Sequence, residues 1–254
     1  MFNLLSFELK KVFRGKAVYI CAGIMCGLSL LTMYAYSMMA ALSQDMEGMA
    51  SLYANMTAND YLLTVLPECA FGTILAVIIP IMICTDLNNG AARVILGRGN
   101  SRNSLFVAKL VSVILVTLFL SVICLLAGFL GMKAFSLGGG LTKACIPNIL
   151  EQIFAYIAIA IIMLAIAKLV KRMAAAIAIG IVGPMVISII LTVINNLVDK
   201  PDFNAGKYLF STIPSAFGDM AIAGSDMVAL NICIVIYIAV FGLLAFICTR
   251  KLDV

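Results

Sequence analysis

Catalysis needs nucleophiles, titratable groups or metal ligands, and this sequence is sparing with all three. It has no histidine, which removes the imidazole general base, the centre of a Ser-His-Asp triad and the commonest metal ligand. Its eight cysteines, Cys21, Cys26, Cys69, Cys84, Cys124, Cys145, Cys233 and Cys248, include no C-x-x-C pair. All but Cys145 fall inside apolar runs, where cysteine behaves as a small hydrophobe. Neither a disulfide framework nor a metal site is expected. No G-x-x-x-x-G-K-[ST] occurs; the run Gly138-Gly139-Gly140-Leu141-Thr142-Lys143 has the wrong spacing. If the protein does work driven by ATP, another subunit must hydrolyse it, and this chain itself is not expected to be an enzyme.

The chemistry that remains is that of contact, and it is concentrated in Asp86-Leu87-Asn88-Asn89-Gly90-Ala91-Ala92-Arg93-Val94-Ile95-Leu96-Gly97-Arg98-Gly99-Asn100-Ser101-Arg102. The stretch predicts a short helix over Ala91–Leu96, bracketed by glycines. It would expose Val94, Ile95 and Leu96 beside Arg93, Arg98 and Arg102. Basic residues anchoring helix ends in the headgroup layer would explain the arginines. They would not explain three adjacent large aliphatics on a connection, which need a partner surface or the headgroup layer to cover them.

The elements holding that stretch are set by composition. Of 254 residues, 64% are hydrophobic and 11% charged, whereas a soluble domain carries about 25% charged residues. Apolar runs cover Ala17–Ala41, Tyr61–Thr85, Leu105–Met132, Ile146–Leu169, Met173–Asn195 and Val228–Thr249. Each reaches the ~20 residues that cross a bilayer core. The predicted fold is all-α, a single polytopic domain over 1–254 with six transmembrane helices and both termini on one side. The first run is too long for a signal peptide and lacks a small-residue cleavage site, so it is expected to be retained.

Charge orients the predicted spans. On the side of the termini fall Lys10, Lys11, Arg14, Lys16, Arg93, Arg98, Arg102, Lys109, Lys168, Lys171, Arg172, Arg250 and Lys251, thirteen of the seventeen basic residues. The acids there are Glu8, Asp86 and Asp253, while the other nine fall opposite. The Lys/Arg bias predicts a multi-pass plasma-membrane protein with both termini in the cytoplasm.

Residues 1–16 predict a cytoplasmic interfacial helix, with Phe2, Leu5, Leu9, Val12 and Phe13 on one stripe. Asn3, Ser6, Lys10 and Arg14 face the other way, Lys11 lies near them, and Leu4 and Phe7 sit off the stripe. Residues 196–227, with Tyr208-Leu209-Phe210, Pro214 and Ala216-Phe217, read as an external cap of short helices before the last span. Gly23 and Gly27 form a GxxxG in span one, and Ala176, Gly180, Gly183 and Pro184 give span five a small-residue face. Both suit either a dimer seam or packing within one subunit. Glu68, after Pro67, is the most membrane-embedded acid and a candidate for the translocation path. Pro80 and Pro184 are expected to kink their helices.

With these residues in view, the connection resembles the coupling-helix region of ABC type-2 transporter permeases. The family pattern of an acid, then Gly-x-x-Arg-aliphatic-aliphatic-Leu-x-Arg-x-x-Ser-Arg, falls on Asp86, Gly90, Arg93, Val94, Ile95, Leu96, Arg98, Ser101 and Arg102. Where the family commonly has proline after the second arginine, this chain has Gly99. The amphipathic start, the six spans, the helical cap and the basic Arg250-Lys251 occur in the same order. The resemblance implies a coupling loop over 86–104 and a half-transporter that pairs with a second permease copy or homologue. It further implies a separate cytoplasmic ATPase carrying the ATP and Mg2+, with no cofactor in this chain. The substrate class it suggests is an amphipathic or antimicrobial peptide, or a hydrophobic compound, exported from a bacterial cell or pumped out for self-immunity. The lipid bilayer is an expected partner, and nucleic acid is not. A channel or secondary transporter is the alternative and would call for paired broken helices with midplane charges. A membrane enzyme would need an intramembrane catalytic cluster, and none is legible.

Overall fold

Apolar length decides most of this fold, because a helix is the one open-ended element that satisfies all its own backbone groups in hydrocarbon. Six helices are long and apolar enough to cross a membrane: Lys16–Leu42, Ala58–Asn88, Arg102–Ala134, Ile146–Val170, Met173–Leu197 and Gly224–Arg250. The chain is an all-α multi-pass membrane protein, with no strand among the described residues. The computed structural model describes residues 2–43, 57–97, 99, 101–137, 145–198, 205–219 and 224–250; of residues 2, 3, 43, 92, 93, 96, 198 and 205 it describes the backbone alone. Most of the external loop expected over 42–60, the Gly138–Gly140 turn, parts of the expected cap and Lys251 therefore lie outside the described residues.

In chain order the elements are α1 (Phe2–Arg14), α2 (Lys16–Ser43), α3 (Ala58–Glu68), α4 (Phe71–Asn88), α5 (Ala91–Gly97), α6 (Arg102–Ala134), α7 (Ile146–Val170) and α8 (Met173–Val198). A 3₁₀ turn (Ala205–Tyr208), α9 (Ile213–Ala216) and α10 (Gly224–Arg250) complete the chain. Local signals set several starts. Thr57 and Asp60 cap α3 reciprocally, the Thr57 N–H donating to Asp60 Oδ2 at 2.7 Å and the Asp60 N–H to Thr57 Oγ1 at 3.4 Å. Ser101 opens α6 by accepting the Ser104 N–H at 3.2 Å.

The core is centred on α7, which packs against α4, α6, α8 and α10, while α2 and α3 lie along α6. Phe71, Leu75, Ile79, Leu120, Met163 and Leu164 are fully buried there. The α3–α6 crossing is close: a Cβ on Gly128 would stand 2.6 Å from Val65 Cγ2. By contrast α8 leaves most of its large aliphatic side chains exposed, Val182, Met185, Ile189 and Leu197 among them.

Span two departs from the continuous helix that its apolar run suggests. It is two segments, α3 and α4, joined at Cys69 and Ala70, where Ala70 takes φ 51 in the left-handed region. The cause begins at Pro67, whose missing N–H leaves the Leu63 carbonyl without its helical donor. Gln152 of α7 supplies one, its Nε2 donating to Leu63 O at 2.9 Å. A left-handed alanine costs on the order of 1–2 kcal/mol. Burial of its neighbours Cys69 and Phe71 holds it in place. The helix continues through both Pro80 in α4 and Pro184 in α8.

α1 forms over the expected residues but packs through a rotated face. Leu4 and Glu8 are its buried residues, Leu5, Leu9, Val12 and Phe13 are half-buried, and Phe7 is exposed. A hydrophobic stripe misjudges this face because a carboxylate lies on it, and Glu8 is tolerated there by a partner on α6. Phe13 meets Phe119 of α6 edge to face at 5.3 Å.

At the far end from α1, residues 205–219 fold back onto the bundle. Ile213 and Phe217 are buried with Ala155 and Ala158 of α7 and Leu230 and Ile234 of α10. Tyr237 donates to the Tyr208 carbonyl at 3.1 Å, and Lys207 meets Asp226 at 2.5 Å. The short helices expected near Pro214 are present as the 3₁₀ turn and α9, with α9 seated on α7 and α3 and the 3₁₀ turn against α8.

Candidate functional site

The connection between α4 and α6 is shaped by its glycines. Gly90 has φ +66 and Gly99 has φ +82, a region open to glycine and closed to proline, whose ring holds φ near −65°. Glycine at 99, where the resembled family commonly has proline, is therefore a requirement of this backbone. Between the two turns α5 presents Val94 outward at 58% exposure. Ile95 points the other way and is buried with Leu4 of α1 and with Leu105 and Ala108 of α6. The expectation that Val94, Ile95 and Leu96 are all exposed is thus corrected at Ile95, since successive helix positions diverge by about 100° and α6 and α1 cover one side. The side chains of Arg93 and Leu96, and the whole of Arg98, lie outside the described residues. Ser101 serves as the α6 cap, and Arg102 donates through its guanidinium to the Arg250 carbonyl, fastening the start of α6 to the end of α10.

Asp86 belongs to a different assembly from the α5 surface. It is buried at the end of α4, where it forms ion pairs with Lys11 of α1 and Lys109 of α6. Lys109 Nζ also meets Glu8 Oε2 at 2.8 Å. Two carboxylates and two ammonium groups thus close a neutral cluster joining α1, α4 and α6. Glu8, Asp86 and Lys109 are each buried, and Glu8 Oε1 has no partner. In so poorly hydrated a place an ion pair is hard to break singly, because the orphaned charge stays buried. A small cavity of about 160 Å³ lies against this cluster. At the same end Lys168 Nζ donates to Thr249 Oγ1 at 2.6 Å and sits 4.8 Å from the centre of the Phe106 ring, tying α7 to α10 and α6.

The structure separates the residues expected along a dimer seam or translocation path. Gly180 and Pro184 line a partly open cavity of about 610 Å³, together with Pro67, Ala70 and Gly72 at the α3–α4 break and Tyr156 of α7. Gly180 is also a close-packing position: a Cβ there would stand 3.0 Å from Met163 Sδ and 3.1 Å from Ala76 Cβ. Its smallness serves contacts inside the subunit. Gly183 and Glu68 do not line the cavity, and Glu68 is exposed beside the break. Gly23 and Gly27 have open space around them within 4 Å.

Sequence reasoning missed the Glu8–Lys109–Asp86–Lys11 cluster and the cavity. The available signal for the first was Lys109, a charge set inside the start of an apolar span, which calls for a carboxylate partner. For the second it was Pro67, a proline four residues beyond a carbonyl that then needs another donor.

Over residues 18–254 the sequence matches a family model described as "Protein of unknown function (DUF2705)", and the chain belongs to that family. No curated protein matches it.

Proposed function

We propose that this DUF2705 chain is the membrane subunit of an ATP-driven exporter, energised by a separate ATPase that docks on α5. In this reading both termini face the cytoplasm across the plasma membrane of a bacterial cell. The observation that carries it is the build of α5. A two-turn helix is set off between two left-handed glycines, with Ile95 of its inner side seated on α1 and α6 and Val94, at mid-helix, exposed on the outer side. Val94 is the surface that a docking ATPase would cover, between turns that fix the helix it stands on.

The same arrangement suits transmission of force. A push on α5 reaches α1 and α6 through Ile95, and the ion cluster binds α1 to α4 and α6. ATP-driven closure of two ATPases would rock these helices together between two states of the path, the bistable element such a machine requires. The cavity beside Gly180 and Pro184 is the candidate path. A second permease copy would cover the outward face of α8 or the open Gly23/Gly27 face of α2.

A second reading, a secondary transporter or channel, is favoured by the broken span at Ala70. Transporters of that kind set two broken helices around a charged midplane site. The described residues contain one such break within a span, and no charged side chain lines the cavity beside it. The test is purification of the full chain with the ABC ATPase encoded beside it, with hydrolysis then measured in nanodiscs. The exporter reading expects a stable complex whose ATPase activity changes when substrate is added. Transport by the permease alone would overturn it.

A further inference from the structure

The cavity at the α3–α4 break has a lining whose chemistry specifies an occupant. Its walls come from α3, α4, α7, α8 and the segment after the 3₁₀ turn, and they include no Asp, Glu, Lys or Arg. Its volume of about 610 Å³ lies within the range of pockets that take small organic molecules, about 300–1,000 Å³. Ile159, Met163 and Ile189 supply apolar wall, while Thr73, Ser188 and Ser211 bring hydroxyls to it.

Tyr156 is the decisive residue. It is 3% exposed, its ring packs edge to face on Phe71 with centroids 4.7 Å apart, and it lines the cavity. No hydrogen bond joins its hydroxyl to any described residue, although buried tyrosine hydroxyls ordinarily find partners. Beside it α4 begins at Phe71; the Thr73 and Ile74 amides bond the Ala70 carbonyl at 2.9 and 3.1 Å, which leaves the Phe71 and Gly72 amides as the unbonded donors at the helix start. An occupant thus meets donors in these two amides and in the Tyr156 hydroxyl, beside the Thr73, Ser188 and Ser211 hydroxyls, which donate or accept. An α-helix N-terminus attracts anions, yet one helix end offsets only a fraction of the cost of taking a full charge out of water into an uncharged wall.

We propose that this cavity binds an uncharged amphiphile, an apolar body carrying carbonyl or ester oxygens that accept from Tyr156 and from the start of α4. The proposal deepens the export reading by naming the substrate class of its path, and it rests on that reading only for the transport step, not for binding. Charged amphipathic peptides are excluded as occupants of the cavity itself.

The sequence contains no tryptophan, so Phe210→Trp, at the cavity wall, provides a single fluorescent reporter. The full chain in nanodiscs is titrated with 1-oleoylglycerol and with two charged counterparts of the same chain, oleyl phosphate and oleyltrimethylammonium. A saturable emission shift is expected for the neutral probe, with either charged probe at least about tenfold weaker. Tyr156→Phe should weaken the neutral probe by about threefold or more through loss of one hydrogen bond. Ser188→Phe should abolish the response by filling the space. Equal responses to all three probes, or a tighter response to the phosphate, would overturn the proposal. So would a neutral-probe titration unchanged in Ser188→Phe, which marks simple partition into the bilayer. If Ser188→Phe fails to fold, Tyr156→Phe decides, because it keeps the ring on Phe71 and removes only the donor. Binding is read without any ATPase, so loss of the docking claim on α5 and loss of this site are distinguishable.

Discussion

The two ends of this bundle are built from opposite chemistry. At the α1 end, Glu8, Lys11, Asp86 and Lys109 draw three helices into one ionic cluster, most of it buried. Toward the other end, the cavity of about 610 Å³ at the α3–α4 break is lined without a single charge. The helices around that space are held unequally. α7 and α8 are neighbours of nearly equal mean hydropathy, 2.6 and 2.7, yet most of α7 is buried and little of α8 is. That inequality marks where the molecule can yield. Separating α1 from α4 and α6 would strand buried charges, whereas sliding α8 along α4 and α7 exchanges one apolar contact for another. A stiff joint next to α5 and a loosely held wall beside the cavity are what a lever and a chamber would need.

Breaking the joint should have the largest effect. Lys109→Met removes the ammonium shared by Glu8 and Asp86 and leaves a buried carboxylate uncompensated, a loss of about 3–5 kcal/mol. It should appear as a large drop in the thermal unfolding midpoint in mild detergent. Glu8→Leu combined with Lys109→Leu retains the Lys11–Asp86 pair and should recover much of that loss. Similar midpoints for the single and double variants would mean that the cluster is not the joint described.

A defect away from the joint should cost less. Gly128→Ala drives a methyl into the branched side chain of Val65, which has no flexible end to swing aside. Overpacking of this kind costs about 1–3 kcal/mol. A midpoint loss equal to that of Lys109→Met would erase the contrast between the two ends.

The sequence made the six spans legible, because each carries enough apolar residues to be unmistakable by length alone. It also made α5 legible, since Gly90 and Gly99 bracket a run with no other reason to stop. It did not reveal the break at Ala70, where an ordinary alanine is held left-handed by burial of Cys69 and Phe71 and by Gln152, a residue far along the chain. The Glu8–Lys109 pair was hidden for the same reason: its members are 101 positions apart, and hydrophobic periodicity treats a buried glutamate as an error. Ile95 was assigned to the surface with Val94 because adjacent aliphatics look alike until a neighbouring helix chooses between them. The site residues that local conformation dictates were readable, and those chosen by tertiary partners were not.

Docking of an ATPase on α5 carries the functional reading, and Val94 is the residue on which it stands or falls. Val94 is exposed in the isolated chain, so Val94→Asp should insert and fold normally and do its damage only when a partner covers it. An unpaired carboxylate buried in an apolar groove costs several kcal/mol. About 3 kcal/mol already weakens association more than a hundredfold. The measurement is recovery of the ABC ATPase with the tagged, membrane-inserted full chain, for Val94→Asp and for Arg172→Ala in the other connection at the same end. With α5 as the docking surface, the ATPase is lost from Val94→Asp and retained by Arg172→Ala. Full recovery of the ATPase with Val94→Asp would contradict docking on α5.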